Sequence, residues 1–214
     1  MLITFEGLDL SGKSTQAKLL LDRLSSSGFQ VVFIREPGGT EIGEKIRTIL
    51  LDKQNSGMTD ETELFLFSAS RAQLVRETIK PALESGKMVI CDRFYDSSTA
   101  YQGWGRGVSV KAIETINWCA SAGLEPDITF FLDLPVEEVE KRITRALKEK
   151  DRMESNGHHF YEEVRKGYLE IAREHPRFTI LNAAKPVDEL HKEIWRDVVK
   201  TGTRLGKKFE KGSA

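Results

Sequence analysis

The sequence predicts an α/β protein: a five-stranded parallel sheet with helices on both faces. Short, nearly continuous apolar runs recur at 1–5, 29–34, 88–91, 128–132 and 178–181. Such runs fit strands that are covered on both faces. Segments with helical spacing separate them, and alternation of this kind builds a parallel sheet through right-handed crossovers. The chain has 214 residues, enough for one domain with a sizeable core.

The elements follow in order. The first strand leads into Gly-Leu-Asp-Leu-Ser-Gly-Lys-Ser at 7–14. Lys13–Ser26 reads as a helix, with Ala17, Leu20, Leu21 and Leu24 on one stripe. The second run, 29–34, precedes a turn at 36–40, where Thr40 can cap a helix reaching about Leu51. A loop at 52–57 precedes a long helix over 60–84, in which Pro81 marks a kink or an early stop. The strand at 88–91 ends at Asp92-Arg93. Residues 95–101 read as helical, 103–107 as a flexible loop and 110–122 as a helix. After the strand at 128–132, Pro135 suits a helix first turn, and that helix reaches about Leu147. Residues 148–157 are almost entirely polar and read as a solvated loop. A helix at 160–174, a strand at 178–181 and a helix at 186–200 complete one domain over 1–200. The remainder, 201–214, has three glycines and four basic residues, and is expected to be disordered.

Charge and composition exclude several classes. Charged residues make up 30% of the chain but nearly cancel, to a formal net charge of −1. No general nucleic-acid or membrane-surface binder is expected from that balance. Arg204, Lys207, Lys208 and Lys211 in the tail are four charges that aid solubility. No apolar run is long enough to span a bilayer, and no basic region precedes Leu2, so neither a membrane span nor a signal peptide is expected. Cys91 and Cys119 have no metal spacing, and the cytoplasm is the expected location. His158 and His159 are adjacent, so on a helix they do not share a face; they read as a surface pair.

The chemistry begins at 7–14, which matches G-x-x-x-x-G-K-[ST]. Gly7 and Gly12 let the backbone curl until successive N–H groups face one anion. Lys13 offers a point charge to the outer phosphates, and the Ser14 hydroxyl is placed to ligate Mg²⁺. Strand before and helix after is the setting the motif requires, because a helix N-terminus adds partial positive charge. Ligands of parallel sheets lie beyond the strand C-terminal ends. That rule gathers the 7–14 loop, 36–40, Asp92-Arg93 and 182–186 on one edge. Asp92, directly after a buried strand, can hold Mg²⁺ opposite Ser14, and Asp9 is a second acid that could face the metal. Arg47 and Arg93 can each fork onto a phosphate. Leu64, Phe65, Leu66 and Phe67 are consecutive, so their helix must bury more than one face. Phe67 and Arg71, four apart, share a face; an aromatic plate beside a multi-donor cation can stack a base and read its carbonyl. Arginine has no acceptor, which favours an O4 carbonyl over a cytosine amino group.

Taken in order, these segments resemble the thymidylate kinase family, bacterial type, over about 1–200. The resemblance rests on Phe-Glu-Gly-Leu-Asp-x-Ser-Gly-Lys-Ser-Thr (5–15), Arg-Glu-Pro-Gly-Gly-Thr (35–40), Phe-Ser-Ala-Ser-Arg (67–71), Asp-Arg-Phe (92–94), Ser-Ser-Thr-Ala-Tyr-Gln-Gly (97–103) and Leu-Asp-Leu-Pro (132–135). It implies a P-loop NTPase fold of the nucleoside monophosphate kinase kind, with ATP, Mg²⁺ and thymidine 5′-monophosphate (dTMP) as ligands. It implies ATP contacts from Gly7, Leu8, Asp9, Leu10, Ser11, Gly12, Lys13, Ser14, Thr15 and Arg142. On the acceptor side it implies Glu36, Pro37, Arg47, Phe67 stacked on thymine, Arg71 donating to O4, Arg93, Ser97, Ser98 near the base edge, Tyr101 against the 2′ position and Gln102. It implies a homodimer through the helix around 60–84. Loop residues 8–11 carry no base, so the resemblance implies the type whose catalytic cation comes from a lid, here over about 142–157, with Arg142, Arg145, Lys148 and Arg152 available. Asp151-Arg152-x-Glu154 is most similar to the family's lid signature, so Arg152 leads, beside Lys13, Arg93 and Asp9, as a catalytic residue. Leu10 departs from the family's usual small residue, and Phe94 from its Tyr or His. Other small P-loop kinases, or an ATP-responsive switch without turnover, stand as alternatives.

Overall fold

The computed structural model describes residues 1–145, 151–153 and 156–209. Five parallel strands, β1 (Leu2–Glu6), β2 (Val31–Arg35), β3 (Met88–Asp92), β4 (Ile128–Asp133) and β5 (Phe178–Asn182), lie in the order β2-β3-β1-β4-β5. Alternate residues of β1 and β3 face opposite sides, as the strand period demands. Ile3, Phe5 and Ile90 join one core with Leu20, Leu24, Phe131 and Trp195. Leu2, Val89 and Cys91 join the other with Ile34, Leu74, Ile79 and Phe94. The second run departs from its expected burial. Val31, Val32 and Phe33 are only half-buried because β2 is an edge strand, and strand order is a tertiary property.

Between the strands run α1 (Lys13–Ser26), α2 (Glu41–Leu51), α3 (Asp60–Leu74), α4 (Lys80–Glu84), α5 (Tyr95–Ser98), α6 (Val110–Ser121), α7 (Val136–Arg145), α8 (His158–Glu174) and α9 (Val187–Arg204). Thr40 caps α2 by accepting from the Gly43 N–H. A π turn, Val75–Ile79, joins α3 to α4, so the long helix is continuous. Pro81, which removes one N–H from the helical ladder, directly follows that π turn at the start of α4.

Two expectations are corrected. Residues 103–105 are helical and not loop: α5 continues as a π-helical segment, Thr99–Gly105. A Cβ on Gly105 would stand 2.6 Å from the Phe160 ring, so glycine there permits close packing on α8. The tail is also ordered through the last described residue. Helix α9 runs to Arg204, and the Phe209 ring lies 4.8 Å from Phe29 and 5.8 Å from Trp195. Leu147, Lys148, Glu154 and Lys211, which carried part of the lid and tail expectations, lie outside the described residues. Among the described residues no helix is long and apolar enough to cross a membrane.

Candidate active site

The 7–14 loop leaves β1 at the C-terminal edge of the sheet and enters α1 at Lys13. Gly7 has φ 138°, and a Cβ there would stand 2.6 Å from the Leu132 carbonyl oxygen, so no other residue fits. Leu10 also adopts a left-handed φ of 57°, with its side chain open to solvent. That accommodates the departure from a small residue at the loop tip. Leu8 is buried in the core, while Ser14 and Thr15 are exposed on the first turn of α1. Lys13 Nζ donates to the Leu8 carbonyl at 2.6 Å. Burial, with Arg93 nearby, pushes its pKa down to about 8.

This lowered value sets a testable pH dependence. Bound phosphates favour the charged amine, so ATP binding above pH 8 must draw a proton onto Lys13. Affinity is expected to fall as pH rises through about 8, by up to tenfold per unit. Calorimetric titration at pH 8.5 in two buffers of different ionisation enthalpy should report net proton uptake. No uptake, or release, would show that Lys13 is charged throughout.

A cavity of about 270 Å³ opens beside the loop, lined by Asp9, Leu10, Lys13 and Ser14 on one side. Arg35, Glu36, Pro37, Arg47, Leu51, Phe67, Asp92, Arg93, Ser97, Ser98, Tyr101, Gln102, Asp151 and Met153 complete it. Thus the phosphate loop and most of the acceptor residues implied by the resemblance share one space. Arg47 is set by its Nη1, which donates to the Pro37 carbonyl at 3.0 Å.

Arg93 is the most connected cation here. Nη1 donates to Gly7 O at 2.8 Å, and Nη2 to Asp9 Oδ1 at 2.7 Å and to the Tyr101 hydroxyl at 3.2 Å. Its φ of 73° is left-handed, an uncommon conformation for arginine that turns the chain out of β3. Burial opposes the Asp9 charge, but Arg93 and Lys13 outweigh it and hold that carboxyl below its ordinary range. Ser14 and Asp92 are in direct hydrogen-bond contact, Ser14 Oγ donating to Asp92 Oδ2. A hydroxyl and a carboxylate at a phosphate loop are oxygen ligands suited to Mg²⁺. Asp9, expected as a further ligand, accepts from Arg93 and from the Tyr101 hydroxyl.

Arg142 bridges the loop to the β5–α9 connection: Nη1 donates to Leu10 O at 2.9 Å and Nη2 to Ala183 O at 3.2 Å. Two other arginines stand differently from their expected positions. Arg71 is 1% exposed and lies behind the cavity wall. It donates to Glu36 Oε2 at 2.8 Å, Asn117 Oδ1 at 3.1 Å, Phe94 O at 3.4 Å and Ser98 Oγ at 3.1 Å. The face it shares with Phe67 is real, but Phe67 reaches the cavity and the arginine packs beneath it. Arg152, the expected catalytic finger, pairs with Glu63 at 2.6 Å, and its Nε donates to Leu50 O at 2.7 Å. The reason is a buried carboxylate on α3 that sequence spacing did not connect to residue 152. Its neighbours Asp151 and Met153, not Arg152 itself, line the cavity.

Sequence reasoning also missed Glu6 and Tyr168. Glu6 ends β1 fully buried; it accepts from the Phe94 N–H at 2.7 Å, Ser97 Oγ at 2.6 Å and the Tyr168 hydroxyl at 2.9 Å. Burial, with Asp96 adding to it, pushes its pKa up to about 7. A lone acid closing an apolar strand was the available signal for Glu6. Tyr168 had none, because it reads as one more apolar position on α8. Trp104 lines a separate cavity of about 340 Å³ between α5, α6 and α8.

A nucleotide-phosphate cradle and a second set of anion-binding arginines facing one cavity define a phosphate-loop kinase acting on a small phosphorylated acceptor. Comparison with known proteins agrees. The family model for thymidylate kinase matches residues 5–194, and the chain belongs to the thymidylate kinase family. It is 52% identical to the thymidylate kinase of Pelodictyon phaeoclathratiforme over 203 residues, covering 91% of this chain and 93% of that one. It is 45% identical to that of Kosmotoga olearia, covering 96% and 99%. The crystal structure of thymidylate kinase from Ehrlichia chaffeensis superposes with a TM-score of 0.75 at 36% identity, covering 92% of this chain and 98% of that one.

Proposed function

We propose that the protein transfers the γ-phosphoryl group of ATP to thymidine 5′-monophosphate, giving thymidine diphosphate and ADP. The observation that carries this is the shared cavity: Lys13 and Ser14 of the phosphate loop line the same space as Phe67, Arg47 and Arg93. ATP phosphates lie along 7–14, with Arg142 at the adenine end. The acceptor phosphate meets Arg47 and Arg93, its base stacks on Phe67, and Ser98 and Gln102 border the base edge. Arg71 acts one layer back, through Ser98 and Glu36.

The acceptor phosphate is already anionic at pH 7, since its second pKa is about 6, so no general base is required. One of its oxygens forms a bond to the γ-phosphorus while the bond from that phosphorus to the β–γ bridging oxygen breaks, leaving ADP. Lys13 and Arg93 offset charge on the moving group, and Asp9 holds Arg93 in place. Ser14 and Asp92 would hold Mg²⁺, which would supply further positive charge beside the ATP phosphates. A coupled assay of ATP with thymidylate, uridylate and cytidylate tests the reading; thymidylate should be preferred, and turnover of cytidylate alone would reject it.

The dimer follows the outer face of α3, where Phe65 is 57% exposed and Ile42 and Ile49 of α2 are also exposed. A solvent-facing phenylalanine on that face suits a partner surface. Two free cysteines and the nucleotide substrates fit the cytoplasm.

A further inference from the structure

Glu63 touches neither nucleotide in the reading above, yet it is 1% exposed and three side chains from two segments converge on its carboxylate. Oε1 accepts from Gln102 Nε2 at 2.8 Å and from Arg106 Nε at 3.3 Å. Oε2 lies 2.6 Å from Arg152 Nη1 and 3.3 Å from Arg106 Nη2. A carboxylate has roughly four lone-pair sites, and these contacts occupy them. Because an ionised carboxylate only accepts, it selects the N–H end of the Gln102 amide and so decides which way that amide faces. The same group fixes the cavity wall on another side. Arg152 donates through its backbone N–H to Leu51 O at 3.3 Å and through Nε to Leu50 O, and its flanking residues Asp151 and Met153 line the cavity. Arg106 extends the network to Asn156 Oδ1 at 2.8 Å. Burial opposes the Glu63 charge, but its hydrogen bonds and the Arg106 charge outweigh it and keep the carboxyl below the ordinary range.

We propose that Glu63 is a positioning residue for the acceptor half of the site: one buried carboxylate orients Gln102 and clamps 151–153 against the end of α2. The inference rests on the kinase reading and deepens it, because Glu63 would act on the monophosphate and not on ATP. Steady-state kinetics with each substrate varied tests this on Glu63→Gln, Arg152→Met and the double variant. For Glu63→Gln the thymidylate KM should rise about tenfold while the ATP KM stays within about twofold. Adding Arg152→Met should then raise the thymidylate KM by less than Arg152→Met does in the wild-type chain, since the two substitutions share the Glu63–Arg152 pair. An equal rise in both KM values, an unchanged thymidylate KM, or additive effects would overturn the proposal. If Glu63→Gln does not fold, Arg152→Met alone decides. A raised thymidylate KM with kcat within about tenfold supports the clamp, and a 10³-fold loss of kcat at unchanged KM makes Arg152 a finger and overturns it. A wild-type enzyme inactive on thymidylate would overturn the underlying reading as well, and so is distinguishable from a failure of the clamp alone.

Discussion

Replacing Arg93 by alanine should lower kcat by about 10³-fold or more at saturating ATP and thymidylate. The guanidinium sits between the phosphate loop, through Gly7 O, and the acceptor side, through Ser97 and Tyr101. A cation at that junction faces charge spreading over a phosphoryl group in transit, the situation in which an arginine contributes most. Its loss has a second consequence. Asp9, left without its 2.7 Å partner, keeps only Lys13 and the Tyr101 hydroxyl to offset its negative charge beside two polyanions. Arg93→Lys should recover only part of the rate, because an ammonium cannot fork between Gly7, Asp9 and Tyr101. The pH behaviour of Lys13 gives an independent readout. Arg93 is one cause of the lowered Lys13 pKa, so in Arg93→Ala proton uptake on ATP binding at pH 8.5 should shrink. A kcat within tenfold of wild type would remove Arg93 from charge stabilisation.

Replacing Arg71 by alanine should destabilise the fold by about 3–5 kcal/mol, because it strands a buried charge. The Arg71 and Glu36 side chains are 1% and 4% exposed and pair at 2.8 Å. Glu36 Oε1 already has no hydrogen-bond partner among the described residues. Without Arg71, Glu36 would be a buried carboxylate with nothing to balance it. For a chain of this size that predicts a Tm lower by roughly 10 °C. The pH dependence follows from the direction of the Glu36 shift. Burial already raises its pKa, against the opposing pull of Arg71. Removing Arg71 raises it further above the unfolded value of 4.5. A carboxyl raised in this way stabilises when protonated, and that contribution is lost as pH rises through the folded pKa. The deficit in Arg71→Ala should therefore be smaller at pH 5 than at pH 8, and Glu36→Gln in the same chain should restore part of it. A Tm loss independent of pH would show that packing, not charge, is what Arg71 supplies.

The sequence by itself determined the strand–helix alternation, the phosphate loop and the chemical types gathered at the sheet edge. These are local: apolar runs, a fixed glycine spacing, and the rule that parallel strands present ligands at one end. It also identified Phe67, Arg47 and Arg93 as companions of that loop: Arg93 directly follows a strand, Arg47 lies on the helix after the 36–40 turn, and Phe67 shares a helix face with Arg71. Tertiary structure alone decided which of them face the cavity. Arg71 and Phe67 share a helix face, but only packing of α3 against α5 and α6 turns the phenylalanine outward and covers the arginine. Arg152 and Glu63 are 89 residues apart, and no spacing rule joins a polar segment to a helix that far away. Burial is what makes that pair, since a carboxylate removed from water must collect cations and N–H groups from whichever segments the fold brings to it.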